Sequence, residues 1–188
     1  MKKTYWTAFF SMTGSEIVSI SEKIGRWPDR LCTNKSLSDI DTIHPDILSK
    51  HYKKLYFIPN KPSSTEYNTI LNITKRAKRS ITTLHGFLRV MPPDVCDNYV
   101  IYNGHPGDIE TYPQLKGFNP QHKAFNLKLK KSGSVIHQVT AIVDGGPILA
   151  NKKCKIDNQN LSNTYKILHD NSVSLWVDFL RNEFNISK

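Results

Sequence analysis

Three side chains in this sequence are of the right type to handle a developing negative charge and a proton. Asn103 and His105 stand at alternate positions after the short apolar run 99–102, so in an extended segment both project to the same side. An amide donor beside an imidazole can stabilise an oxyanion and move a proton. The same residues, Asn103-Gly104-His105-Pro106, also make an ordinary turn. Asp144 follows the apolar pair Ile142-Val143 and precedes Gly145-Gly146-Pro147, where it can orient or charge a histidine or simply shape a turn. A further group, Thr13, Gly14 and Ser15, follows the first apolar run and leads into a helical pattern; its amides and hydroxyls suit a phosphate at a helix N-terminus.

These groups need a scaffold, and the chain predicts one. Residues 5–10 read as a buried strand, followed by a turn and a helix with Ile17, Ile20 and Ile24 on one face, ending at Gly25. Short strands are expected over residues 30–33, 54–58 and 80–84, with a helix over 64–77 between the last two. Strands alternating with helices argue for an α/β fold with a mostly parallel, helix-covered sheet. After Gly86 the chain becomes turn-rich around Pro92-Pro93, His105-Pro106-Gly107 and Pro113. A helix is then expected near 120–130, a strand over 134–142 and exposed loops at 60–64 and 151–160. At the end Leu161, Tyr165, Leu168, Leu175, Trp176, Phe179 and Leu180 recur at helical spacing, which predicts a core-docking helix. Open parallel sheets bind ligands beyond the carboxyl ends of their strands, which is where all three candidate groups fall.

With 188 residues, 38% hydrophobic, the chain can bury one sizeable core, and we expect a single domain. No apolar run is long enough for a membrane span and the N-terminus lacks a signal-peptide pattern, so a soluble cytoplasmic protein is expected. The three cysteines, Cys32, Cys96 and Cys154, fit neither a metal site nor a disulfide framework and read as reduced thiols. The net charge of +10 suits nucleic acid, an anionic surface or phosphorylated small molecules. Lysine-rich coding accounts for it equally well. The densest basic run, residues 75–79, has no interleaved aromatics to stack bases and reads as an exposed helix end.

Taken together, the segments Gly86-Phe-Leu-Arg-Val-Met-Pro-Pro-Asp94, Asn103-Gly-His-Pro106, Lys116-Gly117 and His137-Gln-Val-Thr-Ala-Ile-Val-Asp144-Gly-Gly-Pro-Ile-Leu149 resemble the folate-dependent formyltransferase family, and within it the glycinamide ribonucleotide formyltransferases. The order of the segments and the interval from His137 to Asp144 agree; the likeness is good over residues 80–149 and weak elsewhere. It implies a Rossmann-like fold, its parallel sheet covered by helices on both faces, with residues 1–80 as acceptor-binding half, 81–150 as folate-binding and catalytic half, and 151–188 as C-terminal loop and docking helix. It also implies 10-formyltetrahydrofolate as co-substrate, a primary amine as acceptor, a place in one-carbon metabolism and purine biosynthesis, and no metal. By the same resemblance Asn103 donates to the oxyanion, His105 helps stabilise it and moves a proton, and Asp144 holds the histidine and a water. Leu88, Arg89, Val90 and Met91, with Val139, Thr140, Ala141, Ile142 and Val143 facing them, would bind the folate; His137 matches a histidine near the family's site.

Two departures bear on the acceptor. Where many such enzymes have a glycine-rich turn ending in Gly-Ser-Asn, this chain reads Met12-Thr13-Gly14-Ser15-Glu16, and Glu16 brings negative charge to the place expected for the acceptor's phosphate. The stretch 107–114 is longer than the family loop and carries Asp108 and Glu110, so Gly107 and Asp108 join Thr13, Gly14, Ser15 and Glu16 as acceptor-binding candidates. Glycinamide ribonucleotide is therefore one expected acceptor and an amino-sugar nucleotide or modified nucleotide another. Hydrolysis of formyl-folate and a non-catalytic nucleic-acid-binding protein on a formyltransferase scaffold are further alternatives. Lys116, Lys123 and Arg89 are expected to meet the anionic tail of the folate.

Overall fold

The computed structural model describes residues 4–75, 77 and 79–186. Arg76 and Lys78 of the basic run lie outside the described residues. Seven strands, mostly parallel in their pairing, alternate with helices, which is the expected α/β architecture. The chain divides into two compact units, Met1–Tyr102 and Asn103–Lys188.

The first unit holds β1 (Tyr5–Phe10), α1 (Ser15–Ile24), β2 (Arg30–Thr33), α2 (Pro45–Lys50), β3 (Leu55–Phe57), α3 (Ser64–Lys75), β4 (Ser80–Leu84), α4 (Pro93–Asn98) and the start of β5 (Ile101–His105). Its strand order is β3-β2-β1-β4-β5, with β1 parallel to β2 and β4, and β2 parallel to β3. A central parallel strand is covered on both faces, and Trp6 to Phe10 are accordingly all buried. Phe9 packs its ring 5.4 Å from that of Phe87 and 6.1 Å from that of Tyr67. α1 ends at Gly25, whose φ of 66° lets its N–H fold back on Glu22 and Ser21 carbonyls. The two short helices that periodicity did not predict, α2 and α4, both start with proline at the first helical position, where its missing N–H costs nothing.

A buried polar chain crosses this unit. Trp6 Nε1 donates to Thr83 Oγ1 (2.8 Å), which lies 2.9 Å from His85 Nε2, and His85 Nδ1 lies 2.9 Å from Glu16 Oε2. A carboxylate accepts only, so His85 donates from Nδ1, and in a neutral ring its Nε2 accepts from the threonine hydroxyl. Thr83→Val keeps the shape and deletes the link; we expect a loss of about 1–3 kcal/mol, seen as a lower urea midpoint at unchanged slope.

The second unit continues β5 and adds α5 (Pro120–Asn126), β6 (Lys131–Gln138), β7 (Ile148–Lys155) and α6 (Leu161–Phe184), in the strand order β5-β6-β7. Ile109, Leu115, Ala124, Val135, Ile156 and Leu168 form its core. The terminal helix docks as expected, burying Leu168, Leu175, Trp176 and Leu180, while Leu161, Tyr165 and Phe179 are half-buried.

Several expected boundaries move, each for a local reason. α3 spans Ser64–Lys75 among the described residues, and Ala77, its expected end, is a bend. α5 stops at Asn126 rather than 130, with Lys128 in the left-handed region at φ 51°. β6 spans Lys131–Gln138 rather than 134–142: the apolar 139–142 stretch leaves the strand, and the Thr140 hydroxyl closes a turn by bonding both the N–H and the carbonyl of Ile142. Residues 151–155, expected as exposed loop, complete β7, antiparallel to β6. β7 ends the strand order, and an edge strand tolerates lysines that would be excluded from a covered one.

Candidate active site

The second unit brings Asn103, His105, His137 and Asp144 together. β5 runs on through Asn103 to His105, so the two side chains share one face of an extended strand, as their spacing predicts. His137 comes from the end of β6, and Asp144 from the loop that follows it. Asp144 takes φ 48°, a left-handed conformation that aspartate adopts more readily than most residues. Asp144 is the hub. Its Oδ2 accepts from the Gly117 N–H (2.7 Å) and faces His105 Nδ1 (3.3 Å); its Oδ1 faces His137 Nε2 (3.2 Å) and Asn103 Nδ2 (3.5 Å). Asn103 Nδ2 also lies 3.0 Å from His137 Nε2, and His137 Nδ1 3.0 Å from the Gln138 carbonyl. His105 Nε2 lies 3.0 Å from the Leu115 carbonyl.

The electrostatics follow from burial against these contacts. Burial by itself would raise the Asp144 carboxyl, but the His137 hydrogen bond, the positive potential of His105 and the Gly117 N–H outweigh it and hold the group down to about 2. Asp144 is therefore ionised at any working pH. His105 is pushed the other way: burial lowers it below the usual histidine value, and the Asp144 charge and the Leu115 carbonyl offset this only in part. A neutral His105 has one N–H for two facing oxygens, so its proton can sit on either nitrogen. A neutral imidazole next to a permanent carboxylate is equipped to take a proton and to pass it on.

The other candidates fall in separate places. Gly107 packs its α-carbon against the His105 ring; a Cβ there would lie 3.2 Å from Cδ2 and Nε2 and 2.9 Å from Pro120 Cβ. Asp108 does not face solvent. It is buried, accepts from the Thr111 N–H (3.1 Å) and lies 3.7 Å from Lys153 Nζ, so it braces its own loop. Glu110 is likewise engaged, by Asn151. In the loop after β6, Ala141, Ile142 and Val143 are exposed, Ile142 at 72%, while Val139 is buried and Thr140 half-buried.

In the first unit, Leu88 and Val90 are exposed at 45% and 66%, which excludes core packing for them, whereas Met91 is buried in the core. Arg89 is pinned by the Asn60 carbonyl and side chain and by the Leu88 carbonyl (2.7 Å), and the Leu88 N–H donates to Ser11 Oγ (2.8 Å). With the Asn34 amide turned so that its oxygen faces the Arg89 guanidinium (3.0 and 3.2 Å), its nitrogen reaches Ser11 Oγ at 2.6 Å and completes the clamp. Gly14, at φ 79°, caps α1; Thr13 is exposed, and Ser15 and Glu16 are half-buried. Lys123 reaches back to the Lys116 carbonyl. Sequence reasoning did not single out Gly117 as a partner of Asp144, or Ser11, Asn34 and Asn60. Only the Lys116-Gly117 pair carried a signal, as part of a motif.

Comparison with known proteins bears on what this arrangement is for. The family model for formyl transferases matches residues 34–178. No curated protein matches the sequence. Among solved structures, phosphoribosylglycinamide formyltransferase from Campylobacter jejuni superposes with a TM-score of 0.79 at 20% identity, over 96% of this chain and 97% of that one. The enzyme of the same name from Anaplasma phagocytophilum gives 0.79 at 18%, over 96% and 86%. A formyltetrahydrofolate deformylase from Pseudomonas syringae gives 0.74 at 17%, over 97% of this chain and 62% of that chain. At these identities the likeness is one of fold.

Proposed function

The chain belongs to the formyl transferase family, and from that premise we propose that it transfers the formyl group of 10-formyltetrahydrofolate to the primary amine of a phosphorylated acceptor such as glycinamide ribonucleotide. The observation that carries the reading is the ionised, buried Asp144 with His105, His137 and Asn103 gathered on its two oxygens. The amine arrives neutral and its lone pair forms a bond to the formyl carbon, turning the carbonyl oxygen into an oxyanion. Collapse breaks the bond from that carbon to the folate nitrogen. One proton leaves the attacking nitrogen and one reaches the departing nitrogen, so the reaction is proton-neutral overall. Asn103 Nδ2 supplies a hydrogen bond to the oxyanion, and His105, neutral near pH 7, takes and returns the proton. Asp144 fixes His105 and a water that can relay that proton.

Donor and acceptor are assigned to the segments that the family resemblance points to in each unit. Leu88 and Val90 in the first unit, and Ile142 and Val143 in the second, offer exposed apolar side chains suited to flat folate rings, and the family resemblance assigns the segments 88–91 and 139–143 to the folate. Thr13, Gly14 and Ser15 receive the acceptor phosphate at the start of α1. Glu16 Oε2 takes a hydrogen bond from His85.

The test follows absorbance as 10-formyltetrahydrofolate becomes tetrahydrofolate, with glycinamide ribonucleotide, a panel of amino-sugar nucleotides, or no amine. Turnover that needs one amine, and falls by about 10²-fold or more in His105→Ala, is the expected result. Equal turnover without amine would make the protein a deformylase, and turnover with an amino-sugar nucleotide alone would reassign the acceptor.

A further inference from the structure

Gly104 separates the two site residues of β5, and in an extended strand it faces away from them. The nearest atoms on that side belong to one ring. A Cβ added at Gly104 would collide first with Trp176 Nε1, and would lie 2.8 Å from Cε2 and 3.1 Å from Cζ2 of the same indole. Trp176 is fully buried on α6. Its turn of helix is anchored to the sheet: Lys152 of β7 bonds Ser174 Oγ (2.7 Å) and Asp178 Oδ2 (3.0 Å), one on either side of Trp176 in sequence. The Phe179 ring meets the indole edge-on at 5.8 Å. A flat, stiff side chain held by its own helix therefore lies against the backbone of β5, directly behind Asn103 and His105.

We propose that Trp176 is a positioning residue for the reaction: its indole, lying on the α-carbon of Gly104, sets the height of β5 and so the placement of Asn103 and His105 against Asp144. This rests on the roles given to those three residues above. The fit explains both partners at once. Glycine between Asn103 and His105 makes room for the indole, and the indole takes up the volume that a side chain at 104 would otherwise occupy. It also gives the C-terminal helix a task in catalysis although it contributes no group to the site.

The experiment uses the full chain with Trp176→Phe, Trp176→Leu, Gly104→Ala and the double variant Gly104→Ala/Trp176→Leu. For each, kcat and donor KM are measured, with the unfolding midpoint and the NMR titration of the His105 ring without substrates. We expect Trp176→Leu and Gly104→Ala each to lower kcat by about 30-fold with donor KM within about three-fold, because displacement of a reacting group acts on the transition state. The double variant should recover part of that loss, since the added methyl enters the vacated space, and the His105 titration should move in both single variants. Should Trp176→Leu not fold, Trp176→Phe and Gly104→Ala carry the same comparison. A lower midpoint with kcat and the His105 titration unchanged would reduce Trp176 to ordinary core, as would losses in the double variant that simply multiply. If the protein transfers no formyl group, the titration still decides: a shift in Trp176→Phe sustains the positioning role, and no shift removes it.

Discussion

Asp144→Asn is expected to lower kcat by about 10³-fold while the chain stays folded. The carboxylate offers two oxygens to four donors: Gly117 N–H and His105 on one side, His137 and Asn103 on the other. An amide keeps one oxygen and replaces the other by an N–H₂, which sets donor against donor on one side and removes the charge that opposes burial at His105. Steady-state turnover with circular dichroism on the same samples checks this; full activity in a folded variant would remove Asp144 from the mechanism. The pH dependence has a definite sign. His105 is depressed from its ordinary 6.5 by burial, so wild-type kcat should hold through neutrality and fall only below that value as the ring takes a proton. Asp144 raises His105, so in Asp144→Asn the acid limb should move to still lower pH.

Stability follows the same two groups. The depressed His105 lets the unfolded chain protonate first, so stability is full above 6.5 and declines as pH falls below it. The depressed Asp144 contributes stability that is present above its ordinary 3.8 and is lost as pH falls towards about 2. Chemical denaturation across pH should therefore show a shallower decline below 3.8 in Asp144→Asn than in wild type, with the decline below 6.5 retained.

Gly146→Ala should be nearly as damaging by a different route. A Cβ at Gly146 would run into the carbonyl oxygen of Gln138, with that carbonyl's carbon 2.9 Å away, and neither is a flexible side-chain tip. Gln138 cannot retreat freely, because its N–H is bonded to the Pro147 carbonyl (2.9 Å) and closes the loop between β6 and β7. The loop must open, and Asp144 lies in it. We expect a loss of about 3 kcal/mol in stability and about 10²-fold in kcat. A midpoint and kcat within error of wild type would show that the loop can relax without moving Asp144.

What was legible in the sequence divides along a physical line. Buried parallel strands announce themselves by continuous apolar runs, so β1, β2 and β4 were predicted to the residue, and α1 ended at the glycine that stops it. Strand β7 was hidden because an edge strand rich in lysine looks like a loop, and the end of β6 was misplaced because β-branched apolar residues can equally form an exposed loop. Asn103, His105 and Asp144 stood out by type and by motif, since an amide and an imidazole at alternate strand positions and an aspartate before two glycines are local patterns. Their partners were not local. Gly117 is recognised only by the backbone N–H it aims at Asp144, a group every non-proline residue carries. Asp108 was expected to meet the acceptor and is buried in its own loop, because sequence does not say which way a loop folds. The chain by itself determined the kinds of group available and the elements that carry them. Tertiary structure alone decided which groups meet, how hydrogen bonds and a neighbouring ring keep Asp144 charged against burial while burial keeps His105 neutral, and that a tryptophan far along the chain lies behind the residues it was never near in sequence.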